Sequence, residues 1–162
     1  MTVHPISPLY DERSEILILG SFPSVKSRES RFFYGHPQNR FWKVVSSVFD
    51  EETPVTIPEK KEFLLRNHIA VWDVIRSCDI EGSADSTIRN VTPNDLSIIL
   101  DHADIKAIFV NGRTSEKYYI RYMEPVINIR AVCLPSTSPA NAAWNTERLV
   151  EAWRVIKDKI KT

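Results

Sequence analysis

Four short apolar runs constrain the fold of this chain more than any other feature. They are residues 15–20 (EILILG), 68–74 (HIAVWDV), 105–110 (IKAIFV) and 131–134 (AVCL). A short apolar run bounded by turn-forming residues is typical of a strand that is buried on both faces of a parallel sheet. Segments with helical spacing of apolar residues separate the runs. This alternation predicts an α/β fold, in which helices cover both faces of a central, four-stranded, mainly parallel sheet.

The helices are predicted from apolar residues that recur three or four positions apart and from residue types that favour helix ends. Pro58 and Pro93 each suit the first position of a helix. Thr92 is the expected cap of the helix at Pro93, with Asp95 completing an imperfect capping box. The predicted helices cover residues 39–49, start at Pro58, start at Pro93, and cover residues 115–122 and 145–161.

The length of 162 residues predicts a single domain over residues 1–162. No apolar run approaches the roughly 20 residues that a membrane span needs. The N-terminus lacks the pattern of a secretion signal, so we expect a cytoplasmic protein. Two cysteines and four scattered histidines offer no zinc-ligand spacing and too few thiolates for a four-cysteine iron–sulfur cluster. We therefore expect no metal and no cofactor.

The charge balance argues against a large, non-specific binder of nucleic acid. The chain has 21 basic and 21 acidic residues, and its formal net charge is zero. A zero net charge still leaves room for a local basic patch. Such a patch occurs between residues 26 and 43, where Glu29 is the only acidic residue among Lys26, Arg28, Arg31, Arg40 and Lys43.

Three polar loops follow predicted strands, and we expect the chemistry of the protein to reside there. They cover residues 21–38, 76–91 and 135–144. In open α/β sheets, ligands bind outside the carboxyl ends of the strands. These loops therefore predict one site at one edge of the sheet.

Two of these loops carry motifs that resemble a known family. Residues 20–24 read GSFPS, and residues 33–42 read FYGHPQNRFW at the start of a predicted helix. This pair resembles the mismatch-directed branch of the uracil-DNA glycosylase superfamily, and looks closest to its hypoxanthine-DNA glycosylase family. Residues 134–141 (LPSTSPAN) follow the fourth strand, where the superfamily carries a loop that enters the minor groove. The resemblance covers nearly the whole chain and implies the superfamily's three-layer fold.

Two residues depart from the pattern of other branches. Phe22 stands where an Asp or Asn positions water, and Leu134 stands where a His or Asn stabilises the departing base. Neither apolar side chain serves these functions, so catalysis must have moved to another residue or been lost. The resemblance to the hypoxanthine family implies that Asn39 is the catalytic group.

The chemistry of the reaction agrees with an amide at position 39. Cleavage of an N-glycosidic bond is largely dissociative, so the enzyme needs a fixed water and donors for the departing base rather than a strong base. An Asn oxygen can accept from water and orient it. Lys26 is the only lysine in the motif loops, which makes a Schiff-base mechanism the weaker reading. The alternative for Asn39 is a helix cap, since Asn is a preferred cap residue.

The base pocket is predicted to contain Phe22, Phe33, Tyr34 and Asn111. A loop aromatic such as Tyr34 can stack on a flipped base. Asn111 ends the third strand, where its amide can pair with the polar edge of the base, although Asn-Gly is also a common turn pair. His36 is more simply a structural histidine. Asp73, Ser83 and Asp85 either line the pocket or belong to a solvated turn.

Contacts with DNA phosphates are predicted for two sets of side chains, with solvated surface as the alternative. Backbone N–H groups near the start of the last helix are further candidates. The two sets are the arginines of the basic patch (Arg28, Arg31, Arg40) and the polar residues of the loop after the fourth strand (Ser136, Ser138, Asn141).

The sequence thus predicts a monomeric, monofunctional DNA-deoxyinosine glycosylase that acts on double-stranded DNA containing a deaminated base, most of all hypoxanthine. Three alternatives stay open: a uracil or mismatch-specific DNA glycosylase, a non-catalytic binder of damaged bases, and a hydrolase of free nucleosides. Phe22 and Leu134 motivate the non-catalytic binder, because both usual catalytic positions have lost their polar groups.

Overall fold

The computed structural model of the chain describes residues 1–161. Its strands are β1 (Thr2–Val3), β2 (Ile16–Gly20), β3 (Ile69–Asp73), β4 (Ile75–Asp79), β5 (Arg89–Pro93), β6 (Ala107–Asn111) and β7 (Ala131–Leu134). Its α-helices are α1 (Val25–Ser30), α2 (Phe41–Val48), α3 (Ile57–Arg66), α4 (Ser97–Leu100), α5 (Arg113–Tyr122), α6 (Glu124–Ile127), α7 (Thr146–Trp153) and α8 (Val155–Asp158).

The central sheet has the predicted four parallel strands, in the order β3-β2-β6-β7. Every residue of β2 and β3 is buried, as the continuous apolar runs predicted. The edge strand β7 is less buried. The three-layer α/β prediction is confirmed.

The strand order places helices on both faces of the sheet. The connection from β2 to β3 runs towards one edge of the sheet, whereas that from β6 to β7 runs towards the other. Because such crossovers are right-handed, α1–α3 and α5–α6 lie on opposite faces. The helix α7 packs against α2 and so joins the first of these layers. The chain order reverses between β2 and β6, and this reversal opens a crevice at their carboxyl ends.

A second sheet was not predicted. The strands β1, β4 and β5 form a three-stranded antiparallel sheet, with β4 in the centre. The predicted loop at 76–91 is therefore wrong in part, because residues 75–79 and 89–93 are strands. These two segments (IRSCD and RNVTP) are rich in polar residues and gave no strand signal, and β1 has only two residues.

The predicted helix start at Thr92 is also wrong. Pro93 ends β5 and lies opposite Ile75, and the helix α4 begins only at Ser97. The N–H of Ser97 is capped by Asp95 Oδ1 at 3.0 Å. Residues Thr92 and Pro93 have the composition of a helix start, but pairing with β4 decides their conformation.

The remaining helix predictions are confirmed with shifted ends. A capping box between Thr56 and Glu59 starts α3 one residue before Pro58. Asn145 caps α7, as expected, but the final helix is divided at Arg154. Within residues 1–161, no helix has the length and apolar character needed to cross a membrane.

Candidate active site

A cavity of about 300 Å³ lies at the carboxyl edge of the sheet, beside the crevice between β2 and β6. This volume is at the lower end of the usual range for ligand pockets, roughly 300–1,000 Å³. All three predicted loops contribute to its wall. Its lining includes the segment 20–24 after β2, Tyr34, Asn39, Asp73, Asp85, Asn111 and the segment 136–140 after β7.

Asn39 is fixed in the cavity wall by two donors. Its Oδ1 accepts from the backbone N–H of Phe41 at 2.9 Å and from the hydroxyl of Thr137 at 2.9 Å. Both lone pairs of this oxygen are therefore engaged. Because a backbone N–H can only donate, the first bond also fixes which end of the amide is oxygen. The group that Asn39 offers to a ligand is its NH₂, which is a donor.

Asn111 is held in a closed pair with Thr137. Its Oδ1 accepts from the Thr137 N–H at 3.1 Å, and its Nδ2 donates to the Thr137 hydroxyl at 3.0 Å. Thr137 is fully buried, and its hydroxyl donates a hydrogen bond to Asn39 Oδ1. The chain Asn111–Thr137–Asn39 thus locks two amides from different elements into one network. Sequence reasoning did not single out Thr137, because its importance arises only where the two loops meet.

Tyr34 lies in the cavity wall with one ring face already covered. It stacks on Phe41 with ring centroids 3.9 Å apart and an interplanar angle of 11°. Its hydroxyl is buried beside the Asn111 amide, without a proper hydrogen bond to any residue of the described chain. Burial, and secondarily the Asp73 carboxylate, raise the pKa of Tyr34, so the phenol stays protonated. Only the opposite ring face is left for stacking on a base.

Phe22 and Phe33 also line the cavity, and both pack against His4. Phe22 meets the His4 ring edge-on at 5.9 Å, and the Arg28 guanidinium lies 5.5 Å from the centre of the Phe22 ring. These aromatic rings form a packed wall, so their position is fixed before a ligand arrives.

His4 forms a buried pair with Asp73 that was not predicted from the sequence. Its Nε2 lies 2.7 Å from Asp73 Oδ2, and the two side chains are 2% and 6% exposed. The Nδ1 of His4 accepts from the N–H of Ile6 at 3.1 Å, so the ring proton lies on Nε2 and is donated to Asp73. The two residues are 69 positions apart, and no local pattern joins them.

Arg40 connects the two motif loops. Its Nη2 donates to the carbonyl oxygens of Ser138 and Asn141, each at 3.0 Å, and its Nη1 donates to the carbonyl of Trp144. Its backbone N–H also donates to the Thr137 carbonyl at 3.0 Å. Five donors in a rigid fork suit this task. The contact of Arg40 with a phosphate stays a prediction, but its guanidinium already has several protein partners.

The other residues predicted to bind DNA differ in exposure and in the hydrogen bonds that they already make within the protein. Arg28 donates to the carbonyls of Pro23 and Gly82, whereas Arg31 is exposed. Asn141 Nδ2 donates to the Ser136 carbonyl at 3.0 Å, within its own loop. The hydroxyls of Ser136 and Ser138 accept from the N–H groups of Ser138 and Ala140. Phosphate contact by these residues stays a prediction.

Comparison with known proteins identifies the family. The family model of the uracil DNA glycosylase superfamily matches residues 7–157. The chain belongs to the uracil DNA glycosylase superfamily. Its relatives include the "Hypoxanthine DNA glycosylase" of Methanosarcina barkeri (strain Fusaro / DSM 804), which is 37% identical over 122 residues, or 74% of each chain.

Two further comparisons cover almost the whole glycosylase. The "Hypoxanthine DNA glycosylase" of Methanosarcina acetivorans is 36% identical over 151 residues, which are 90% of this chain and 92% of that protein. A solution NMR structure from Methanosarcina acetivorans, described as a candidate uracil DNA glycosylase, superposes with a TM-score of 0.81. It is 31% identical in sequence, and 97% of each chain is covered.

Membership in this superfamily makes the protein a DNA glycosylase and agrees with a role in DNA repair. In this glycosylase, Phe22 is 8% exposed and Leu134 is 4% exposed, so neither brings a polar group to the cavity. Leu134 lies opposite Asn111 in the sheet, where the two strands end together. Polar side chains that do line the cavity include Asn39, Asn111 and Asp73.

Proposed function

We propose that this glycosylase hydrolyses the N-glycosidic bond of hypoxanthine in double-stranded DNA, as a monofunctional deoxyinosine glycosylase without a cofactor. The names of the two Methanosarcina relatives support the choice of base. The protein acts as a monomer in the cytoplasm and associates with the nucleoid when it is bound to DNA. Duplex DNA is the only macromolecular partner that the reaction requires.

The observation that carries this proposal is the donor set on the cavity wall. Asn39 presents its NH₂ group as a donor, because the oxygen of the same amide already accepts two hydrogen bonds. Asn111 keeps one N–H beyond its bond to Thr137. The departing base carries negative charge on its carbonyl oxygen and ring nitrogens, which accept hydrogen bonds. Donors fixed before the reaction stabilise such charge without reorganising.

The aromatic wall supports the extrusion of a base into this cavity. An enzyme that acts on a base within a duplex must first take it out of the stack. The free face of Tyr34 replaces part of the lost stacking, since base–aromatic stacking contributes about 1–3 kcal/mol per base. Phe41 holds the other face of that ring in place.

Hydrolysis by water, rather than attack by an amine, fits the composition of the cavity. No lysine occurs among the cavity-lining residues within 1–161. A lyase reaction needs an amine that forms a Schiff base with the sugar. We therefore assign the nucleophile to water.

A base-release assay tests the proposal. Duplex oligonucleotides carry hypoxanthine, uracil, xanthine or an alkylated base, opposite each of the four normal bases, and are incubated with excess protein. We expect free hypoxanthine and an intact abasic strand that breaks only after treatment with alkali. Release should vary with the opposite base, because extrusion costs more from a stable pair.

Other outcomes of the assay select the rival functions. Faster release of uracil than of hypoxanthine would identify a uracil glycosylase. Tight binding without release of any base would identify a non-catalytic binder. Free deoxyinosine serves as the control substrate, and its cleavage at a rate near that of DNA would identify a nucleoside hydrolase.

A further inference from the structure

The oxygen of Asn39 is already hydrogen-bonded, so a different group accepts the hydrogen bond from the attacking water. Water that adds to the sugar loses a proton, and an acceptor that orients this water contributes to the rate. Asn39 Oδ1 already accepts from Phe41 and Thr137, so it has no lone pair left for water. The acceptor must be another group on the cavity wall.

Asp73 has the geometry of such an acceptor. It ends β3 directly opposite Gly20 of β2, and the residue is 4% exposed. His4 holds Oδ2, so the carboxylate has one fixed orientation. Its Oδ1 lies against Gly20, where a Cβ would collide with it. The His4 ring N–H donates to Oδ2, which leaves the lone pairs of Oδ1 to accept hydrogen bonds from a ligand or water.

We infer that Asp73 is a catalytic residue whose Oδ1 accepts a hydrogen bond from the attacking water, and that His4 is the residue that positions it. This inference rests on the proposed glycosylase function. As the bond between C1′ and the base nitrogen breaks, its electron pair leaves with the base. The water oxygen bonds to C1′, and Asp73 takes the proton that the water loses. The base then gains a proton from solvent and Asp73 returns its proton to solvent, which leaves free base and an abasic sugar.

Asp85 and Tyr34 are two other titratable groups of the cavity, and both suit this task less well. Asp85 belongs to a short exposed turn, and Ser21 donates to it over a long distance of 3.4 Å. Burial of its carboxyl raises the pKa of Asp85, but the residue as a whole is exposed, so its side chain is held in place less firmly than that of the buried Asp73. Tyr34 stays protonated and is itself a donor.

The first experiment compares Asp73→Asn with Asp85→Asn under single-turnover conditions. Asn at 73 can still accept from His4, so the fold should be kept, and thermal melting checks this. We expect Asp73→Asn to slow base release on the order of 100-fold while duplex binding stays within a few-fold of wild type. Asp85→Asn should slow base release much less. Wild-type release by folded Asp73→Asn, or a larger loss in Asp85→Asn, would overturn the inference.

The second experiment tests His4 through its hydrogen bond. His4→Gln retains a side-chain N–H for Asp73, whereas His4→Leu does not. We expect His4→Leu to slow release at least tenfold and His4→Gln to recover most of the rate, at equal DNA affinity. Equal rates in the two variants would show that His4 only packs against Phe22 and Phe33. If wild type releases no base from any substrate, the proposed function itself fails, whereas an active wild type with an equally active Asp73→Asn removes only the inference.

Discussion

At the scale of single residues, position 39 shows why the direction of a hydrogen bond matters. The sequence predicted either a helix cap or a water-orienting amide for Asn39. In the structure, its oxygen does accept from the start of α2, at the N–H of Phe41. Because this bond occupies the oxygen, the NH₂ is left to bind a ligand. The cap interaction and a catalytic role would therefore use different atoms of the Asn39 side chain.

This arrangement makes Asn39→Asp more informative than Asn39→Ala alone. An Asp can accept from Phe41 and Thr137, and from water, but it cannot donate to the base when ionised. If Asn39 acts as a donor, both variants should slow base release on the order of 100-fold. Single-turnover rates, duplex binding and thermal melting should be measured together, because loss of a cap alone costs about 1 kcal/mol of stability. Near-normal release by Asn39→Asp would instead support the water-accepting role.

At the scale of elements, the site is assembled where two loops meet. The loop at 136–141 has few apolar side chains, and its shape depends on bonds from other segments. Arg40, just before α2, supplies several of them through its guanidinium, and Thr137 supplies the link between Asn39 and Asn111. The positions of the Asn39 and Asn111 side-chain amides therefore depend on the junction between these loops.

Arg40→Lys tests this junction against a phosphate-binding role. A lysine keeps the positive charge but cannot reach three carbonyl oxygens in a fixed geometry. We expect Arg40→Lys and Arg40→Ala to lower the free energy of unfolding by similar amounts, about 2 kcal/mol or more, as measured in urea. Arg31→Ala, at an exposed position, is the matched control and should change it by less than about 0.5 kcal/mol. Full stability of Arg40→Lys would contradict the structural role.

At the scale of the whole molecule, DNA binding must work without a net positive charge. The 21 basic and 21 acidic residues balance, and attraction to DNA depends on how they are distributed. Of the three arginines predicted to contact phosphates, Arg28 and Arg40 are bonded to backbone carbonyls, and Arg31 is exposed. Few phosphates are therefore expected to be neutralised.

The salt dependence of DNA binding measures this number. A plot of log affinity against log salt concentration should have a slope of about two to four in magnitude, which is modest for a DNA-binding protein. Arg31→Ala should reduce this slope by roughly one and weaken binding equally on all sequences. Fluorescence anisotropy with labelled duplexes at several salt concentrations gives the slope. An unchanged slope in Arg31→Ala would show that this side chain faces solvent in the complex.

Much of the fold followed from local patterns. The runs at 15–20 and 131–134 became β2 and β7, because strands buried in a parallel sheet need continuous apolar residues. The antiparallel sheet was not predicted, because β4 and β5 are partly exposed and irregularly paired. Local composition at Thr92 indicated a helix, and pairing with β4 overrode it.

The sequence by itself determined the layered α/β fold, the edge of the sheet that carries the site, and the motif residues Asn39 and Asn111. The fold and the edge depend on apolar periodicity and on the order of strands and loops along the chain, whereas the role of Asn39 is implied by the resemblance of residues 33–42 to the hypoxanthine-DNA glycosylase family. Only the tertiary structure decided that both lone pairs of the Asn39 oxygen are engaged, that Thr137 joins the two amides, and that His4 bonds to Asp73. These contacts join residues 26 to 98 positions apart, and a hydrogen bond across such a distance leaves no trace in local sequence.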